Sequence, residues 1–463
     1  MRMRKSIRIL ILAGLALPVA LGACKSSSGG GPTDPPGPSE AVLTGQVAGT
    51  RTLSRDTVYT IVGYIEIQAG AQLVVPSGTT LLSDLATRGS IVTQRCTASL
   101  PSGKLVVQGT ASAPVIFRPA TTAARTRGQA GGIVLHGCAP INQPVAVSEG
   151  VNQAYGGTNP NDSSGEIRYL RIEFGGVKVT PDNEINGLTM AGVGNGTIIE
   201  HVQAHFIADD GFEWFGGTVN AKWLLSTGND DDNLDCDFGW NGTVQFFVAI
   251  QDRNLANRGA ECDNDANSSA NTPQTSPTVW NATFIGAGVE RANSETNDGV
   301  YIRRNAAGTF RNLVVANFGN AGIVIDGTGS QANLASGALV IDNALFFGNQ
   351  CIQVASCQGA ADPVLGNIVF RGGASSSYHQ TGVAAAWAGK TIVEADPQFT
   401  AVDFGNPING TAPDIRPRTG SLALAGENAA TPTGSGVDAS ARFLGAFSAA
   451  DNWIGGWTTW ATQ

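Results

Sequence analysis

The chain has 463 residues, 28 Lys+Arg against 37 Asp+Glu for a formal net charge of −9, and a hydrophobic share of 42%. An acidic balance of this kind leaves no electrostatic footprint for nucleic acid or anionic lipid. Length alone suits two or three domains, unless the chain repeats itself.

Arg2, Arg4, Lys5 and Arg8 precede an apolar run at 9–21. The run falls short of the roughly 20 apolar residues a spanning helix needs and ends in small residues, so residues 1–23 read as a signal peptide. Leu21-Gly22-Ala23-Cys24 resembles the bacterial lipobox. That resemblance implies cleavage before Cys24, a diacylglyceryl group on its thiol, and stable attachment through more than one acyl chain. Residues 24–41 contain Lys25-Ser26-Ser27-Ser28-Gly29-Gly30-Gly31 and then Pro32, Pro35, Pro36 and Pro38, a flexible tether that cannot pack a core. Lys25 is not the acidic retention signal of enterobacterial lipoproteins, so by resemblance the expected address is the outer membrane, on its periplasmic face or at the cell surface. Loss of residues 1–23 removes four positive charges and no negative ones, moving the balance from −9 to −13.

From residue 42 the chain aligns on itself. A polar residue precedes or enters a short apolar strand at Tyr169, His201, Asn220, Gln245, Asn281, Asn312 and Asn343, with spacings of 32, 19, 25, 36, 31 and 31 residues. The spacings vary too much for a leucine-rich or ankyrin array, and no segment sustains an apolar 3.6 period. A second column follows a turn glycine or its substitute: Gly187-Leu188-Thr189-Met190, Gly211-Phe212-Glu213-Trp214, Asn233-Leu234-Asp235-Cys236, Gly259-Ala260-Glu261-Cys262, Gly299-Val300-Tyr301-Ile302 and Gly322-Ile323-Val324-Ile325. Short period-two strands repeated in this way describe an all-β solenoid, its coils about 4.8 Å apart with like residues over like. Asn220, Asn281, Asn312 and Asn343 are expected to form an inward ladder of amides bonded up and down the stack. His201 falls in that column and reads as a ladder member rather than a metal ligand. The insertion at 264–277 is expected to bulge from one coil.

These strings, with Tyr64-Ile65-Glu66-Ile67 through Leu73-Val74-Val75-Pro76-Ser77-Gly78-Thr79, Asp209-Asp210-Gly211-Phe212-Glu213-Trp214-Phe215-Gly216-Gly217 and the exit segment Phe443-Leu444-Gly445-Ala446-Phe447, resemble the pectate-lyase-like superfamily and bacterial surface lipoproteins of that fold. The resemblance implies a right-handed parallel β-helix over 42–447. Residues 448–463, with Trp453, Trp457 and Trp460, then read as a cap over the apolar cross-section of an open solenoid end, sugar stacking being the alternative.

If Phe212, Trp214, Leu234, Cys236, Ala260 and Cys262 point inward, period two turns Glu213, Asp235, Asp237, Glu261 and Asp263 outward on three adjacent rungs. Asp209, Asp210, Asp230, Asp231 and Asp232 lie on the turns beside them. Like charges about 5 Å apart cost on the order of 3 kcal/mol at an effective dielectric near 20, so cations or protons must offset the grid. Ca²⁺ is the natural cofactor, because it takes several hard oxygens in flexible geometry. The same parity puts Cys236 over Cys262, within disulfide range, with two buried thiols as the alternative. By elimination Cys96 meets Cys138 and Cys351 closes a local loop with Cys357, although six cysteines leave fifteen pairings open.

In pectate lyases acidic residues on adjacent coils hold Ca²⁺ against an acidic polysaccharide, and an arginine on the next coil removes a proton. Resemblance carries those roles to Glu213, Asp235 and Arg303, as a lyase, or as a glycosidase using paired carboxylates. Against this, neither the Gly-His-Gly nor the Arg-Ile-Lys signature of polygalacturonases is present, and no pectate-lyase arginine motif beyond Tyr301-Ile302-Arg303-Arg304. The expectation is therefore a monomeric, lipid-anchored envelope protein that binds polysaccharide or another envelope or matrix component through a calcium-braced acidic face, with the lyase or hydrolase as the alternative.

Overall fold

The computed structural model describes residues 39–180, 183–288, 297–349, 367–372, 375–379 and 383–463; Cys24, Cys351 and Cys357 lie outside them. The coils are three-sided. The strands Gly165–Glu173, Ile198–His205, Asn220–Thr227, Thr243–Ile250, Thr278–Ile285, Gly308–Ala316 and Leu339–Phe347 stack in parallel, each on the next. Each bends at one residue, so its two halves lie on two sides of the solenoid. The other side is the stack Leu188–Val193, Phe212–Gly217, Leu234–Asp237, Arg258–Cys262, Asp298–Ile302, Ala321–Asp326 and Ile368–Gly372, also parallel. This is the right-handed parallel β-helix.

The bend explains where period-two reading fails. Tyr169, His201, Trp223, Phe246, Asn281, Asn312 and Asn343 occupy the corners, all left-handed with φ between 50° and 63°. A left-handed residue slips the alternation by one, so Ile199 and Val202 both enter the core while Glu200 and His201 face out. The corner members on two rungs are thus Trp223 and Phe246, not Asn220 and Gln245. A left-handed non-glycine residue costs about 1–2 kcal/mol, and asparagine tolerates it best. The aromatic corners offset that cost by stacking: ring centroids are 4.2 Å apart for Tyr169–His201, 4.6 Å for His201–Trp223 and 5.7 Å for Trp223–Phe246.

The expected inward amide ladder is corrected as well. Asn281, Asn312 and Asn343 donate to the carbonyls of Phe443, Ala430 and Asn428, at 2.8, 2.9 and 2.9 Å. Those carbonyls belong to a long C-terminal strap. The coils end at the strand Ile392–Glu394, which pairs with Leu339–Phe347, and residues from 395 onward run back along the outside of the solenoid rather than continuing its coils to 447. The strap buries Phe174, Phe206, Leu225, Val248, Ile250, Ile285, Val314 and Leu345 under Phe399, Ile415, Leu444, Phe447 and the three tryptophans. Trp457 meets the rings of Tyr169 and His201 edge-on, at 5.6 and 6.0 Å. The tryptophans therefore cover a flank of middle coils, not an end. Their burial (Trp453 8%, Trp457 1%, Trp460 7% exposed) leaves no ring face for a sugar.

Inside, Leu188, Phe212, Leu234, Ala260, Val300, Ile323 and Ile368 face Leu170, Val202, Leu224, Phe247, Ala282, Leu313 and Ala344 in one continuous core. Cys236 and Cys262 lie in it, bonded across neighbouring rungs with Cα atoms 4.7 Å apart, and Cys96–Cys138 forms a second disulfide. Glycines at the start of the second-side strands permit close coil contact. A Cβ on Gly299 would collide with the backbone oxygen of Gly322.

Candidate functional site

Strict alternation on the second side turns every other residue out. Opposite one another on successive rungs stand Thr189, Glu213, Asp235, Glu261, Tyr301 and Val324. Asp237, Asp263 and Arg303 follow the core column of Trp214, Cys236, Cys262 and Ile302. All five expected carboxylates and the expected arginine are thus brought together.

The side is outward by parity yet largely covered. Glu213 is 6% exposed, Glu261 3% and Asp263 4%, while Asp235 and Asp237 are half-buried. Toward the lower rungs the cover is a hairpin of Ala146–Val147 with Ala154–Tyr155 and another of Val177–Thr180 with Asn183–Ile185. Tyr155 packs against Phe215, and Ile185 against Val134 and Val151. The first hairpin is pinned through His136, whose Nδ1 donates to the Thr93 carbonyl and whose Nε2 accepts from the Ser148 hydroxyl, both at 2.7 Å. These are partners the sequence did not reveal. The insertion at 264–277 is exposed through its middle and anchored at its base: Asn264 takes the Asn142 amide on its carbonyl at 2.6 Å, and its own side-chain oxygen accepts from the Thr275 backbone at 2.8 Å.

Charge is distributed unevenly. Arg258 and Arg303 both pair with Glu261; Arg303 and Arg304 pair with Asp263, each at 2.7 Å. Arg258 was missed in the sequence, because strand alternation gives it the inward parity of Ala260 and Cys262 rather than that of Glu261; its guanidinium also lies 4.2 Å from the Tyr301 ring centroid. Asp209, Asp210, Asp231, Asp232, Glu213, Asp235 and Asp237 have no ion pair among the described residues. Four of them accept hydrogen bonds: Asn186 donates to Glu213, the Asp232 backbone to Asp210 at 2.8 Å, the Arg258 backbone to Asp232 at 2.7 Å and the Phe238 backbone to Asp237 at 2.6 Å.

Three sets of carboxylates each bring oxygens within 4.8 Å of one another: Asp209, Asp210 and Asp231; Asp210, Glu213 and Asp235; and Asp232, Asp235 and Glu261. Asp210 and Asp235 are each shared by two sets. Burial first, then like charge, drives the carboxyls up. Asp209, beside Asp231, and Asp237, beside Asp263, are both pushed to about 8. Asp210 beside Asp235, Glu213 beside Glu149, Asp232 beside Asp231 and Asp235 beside Glu261 are held well above the ordinary range. Burial also raises Glu261 despite its two arginines. Without a cation the arrangement must hold protons.

Parallel coils stacked in this way define a β-helix protein. Residues 45–388 match the family described as pectate-lyase like beta helix domain, and the chain belongs to it. No curated protein and no solved structure matches it.

Proposed function

We propose that this is a lipid-anchored cell-envelope protein that binds carbohydrate or another envelope component, with Ca²⁺ held in the acidic side as a brace between coils. The family supports a carbohydrate-related role, and two disulfides support an oxidising, exported setting. Calcium rests on one observation, the overlap of the three carboxylate sets around Asp210 and Asp235. The donors are all carboxylate oxygens, which suits a hard cation of flexible coordination. Asp210, Glu213 and Asp235 would hold one ion, and Asp232, Asp235 and Glu261 offer an adjoining position. The ion supplies charge neutralisation across the rungs, and the chain's own residues supply the rest: Arg258 and Arg303 balance Glu261, and Asn186 orients Glu213.

The alternative is a calcium-dependent polysaccharide lyase or glycoside hydrolase using Glu213, Asp235 and Arg303. The family favours it. Against it, Arg303 is committed to two carboxylates, which hold its guanidinium charged, and Glu213 is buried. A proton-abstracting arginine must lose its proton, and these partners oppose that. The deciding experiment is an ultraviolet assay for unsaturated products on a panel of uronate polymers, with calcium and with EDTA, beside a binding assay on the same panel. Binding without new absorbance supports the proposal; calcium-dependent absorbance replaces it with the lyase.

A further inference from the structure

The acidic side is too covered to receive a glycan, so the carbohydrate reading needs a site elsewhere. A cavity of about 180 Å³ opens where the strap, at residues 435–437, passes the side of the solenoid that precedes the corners. Its floor is a grid from three successive rungs. Ile198 stands opposite Asn220, and Glu200 opposite Lys222. One rung on, the backbone of Thr243 donates to the Asn220 side-chain oxygen at 2.8 Å, and Gln245 stands opposite Lys222. Val437 closes the wall.

Most polar groups of this grid are spoken for. Gln245 accepts from the Asp438 backbone at 2.7 Å and donates to its carbonyl at 3.0 Å, and one Glu200 oxygen pairs with Arg168. The Lys222 ammonium pairs with no carboxylate among the described residues and leans over the Trp223 ring, 5.1 Å from its centroid. Among the described residues the Asn220 amide group uses only its oxygen. The residues lining the cavity carry an ammonium, an amide N–H₂, the Thr243 hydroxyl and a carboxylate, with the Asn195 amide and the Ser435 hydroxyl beside them, around apolar Ile198 and Val437. Donors and an acceptor spaced over an apolar patch match a ring with adjacent hydroxyls and one apolar face. Glu200 and Asp438 flank Lys222, so a neutral ring fits better than an anionic one.

We propose that this cavity, bounded by Ile198, Glu200, Asn220, Lys222, Thr243 and Val437, binds one neutral hexose unit of a glycan. The proposal rests on the carbohydrate reading above and places its contact on the flank opposite in role to the acidic side. Wild-type protein and Lys222→Ala, Asn220→Ala and Thr243→Val variants would be titrated with neutral and uronate oligosaccharides, read by calorimetry. Circular dichroism and melting would certify the fold of each variant. Expected are binding of a neutral oligosaccharide by the wild type, weaker binding of the uronate, and at least tenfold loss in Lys222→Ala and Asn220→Ala. Glycan binding that none of the variants weakens overturns the site and leaves the carbohydrate reading standing. Absence of binding to every oligosaccharide overturns both.

Discussion

Replacing Asp235 with Asn should stabilise the metal-free protein at alkaline pH and abolish its response to calcium. Asp235 faces Glu213 on one rung and Glu261 on the other, and belongs to two of the three carboxylate sets. Glu261 is offset by Arg258 and Arg303, whereas Asp210, Asp232 and Glu213 have no ion pair among the described residues, so the relief comes from several carboxylates, Glu213 directly opposite among them. At rung spacing and an effective dielectric near 20 the repulsion from Glu213 is about 3 kcal/mol, an upper figure because the pair can hold a proton instead. For a body of this size 3 kcal/mol corresponds to a melting shift of about 3–4 °C. The pH dependence has a definite sign. Carboxyls raised in the fold contribute stability that is complete below their unfolded values and is lost as pH rises through the folded ones, here from about 4 to the value near 8 of Asp209 and Asp237. The histidines, two buried and His201 half-buried, act on the other limb. His136, His201 and His205 are lowered to about 4 by burial, so their contribution is present above pH 6.5 and is lost as pH falls toward 4. In EDTA the melting temperature should therefore peak near pH 5–6 and fall toward pH 8. Calcium at a hundred times its Kd adds about 2.7 kcal/mol and should remove the alkaline fall. Scanning calorimetry of wild type and Asp235→Asn, at pH 5.5 and 8 with calcium or EDTA, reads all of this. A variant less stable than wild type in EDTA at pH 8, yet equally stabilised by calcium, would refute the reasoning.

The Cys236–Cys262 bond closes a 26-residue separation, and chain entropy gives it about 3.5 kcal/mol, so the double Ala variant should melt several degrees lower under non-reducing conditions. Trp457→Ala removes the edge contact with Tyr169 and His201 and should cost about 3–5 kcal/mol, with proteolysis beginning in the strap while the coils stay resistant. Gly299→Ala forces a Cβ against the backbone of the next coil and should destabilise by more than the roughly 1–3 kcal/mol of ordinary overpacking, measurable by denaturant titration.

The second side was legible because its alternation is unbroken: placing Trp214 and Cys236 inward fixes Glu213, Asp235 and Glu261 outward and sets Cys236 over Cys262. The side before the corners was not, because each left-handed residue resets the period, and a search for polar corner residues passed over Trp223 and Phe246. The strap shelters Phe246 with Phe443 and the neighbouring corner His201 with Trp457, and the strap has no repeat to announce it. Burial of the acidic side was hidden for a related reason. Its cover comes from hairpins around Ser148 and Asn183, whose sequences carry no mark of what they lie against.

The calcium brace is tested most directly by metal analysis of protein prepared in calcium and then passed through calcium-free buffer without chelator. At least one Ca²⁺ per chain is expected, released by EDTA with a fall in melting temperature at pH 8. Metal-free protein whose melting is the same with and without EDTA would contradict the account and leave the buried carboxyls holding protons alone.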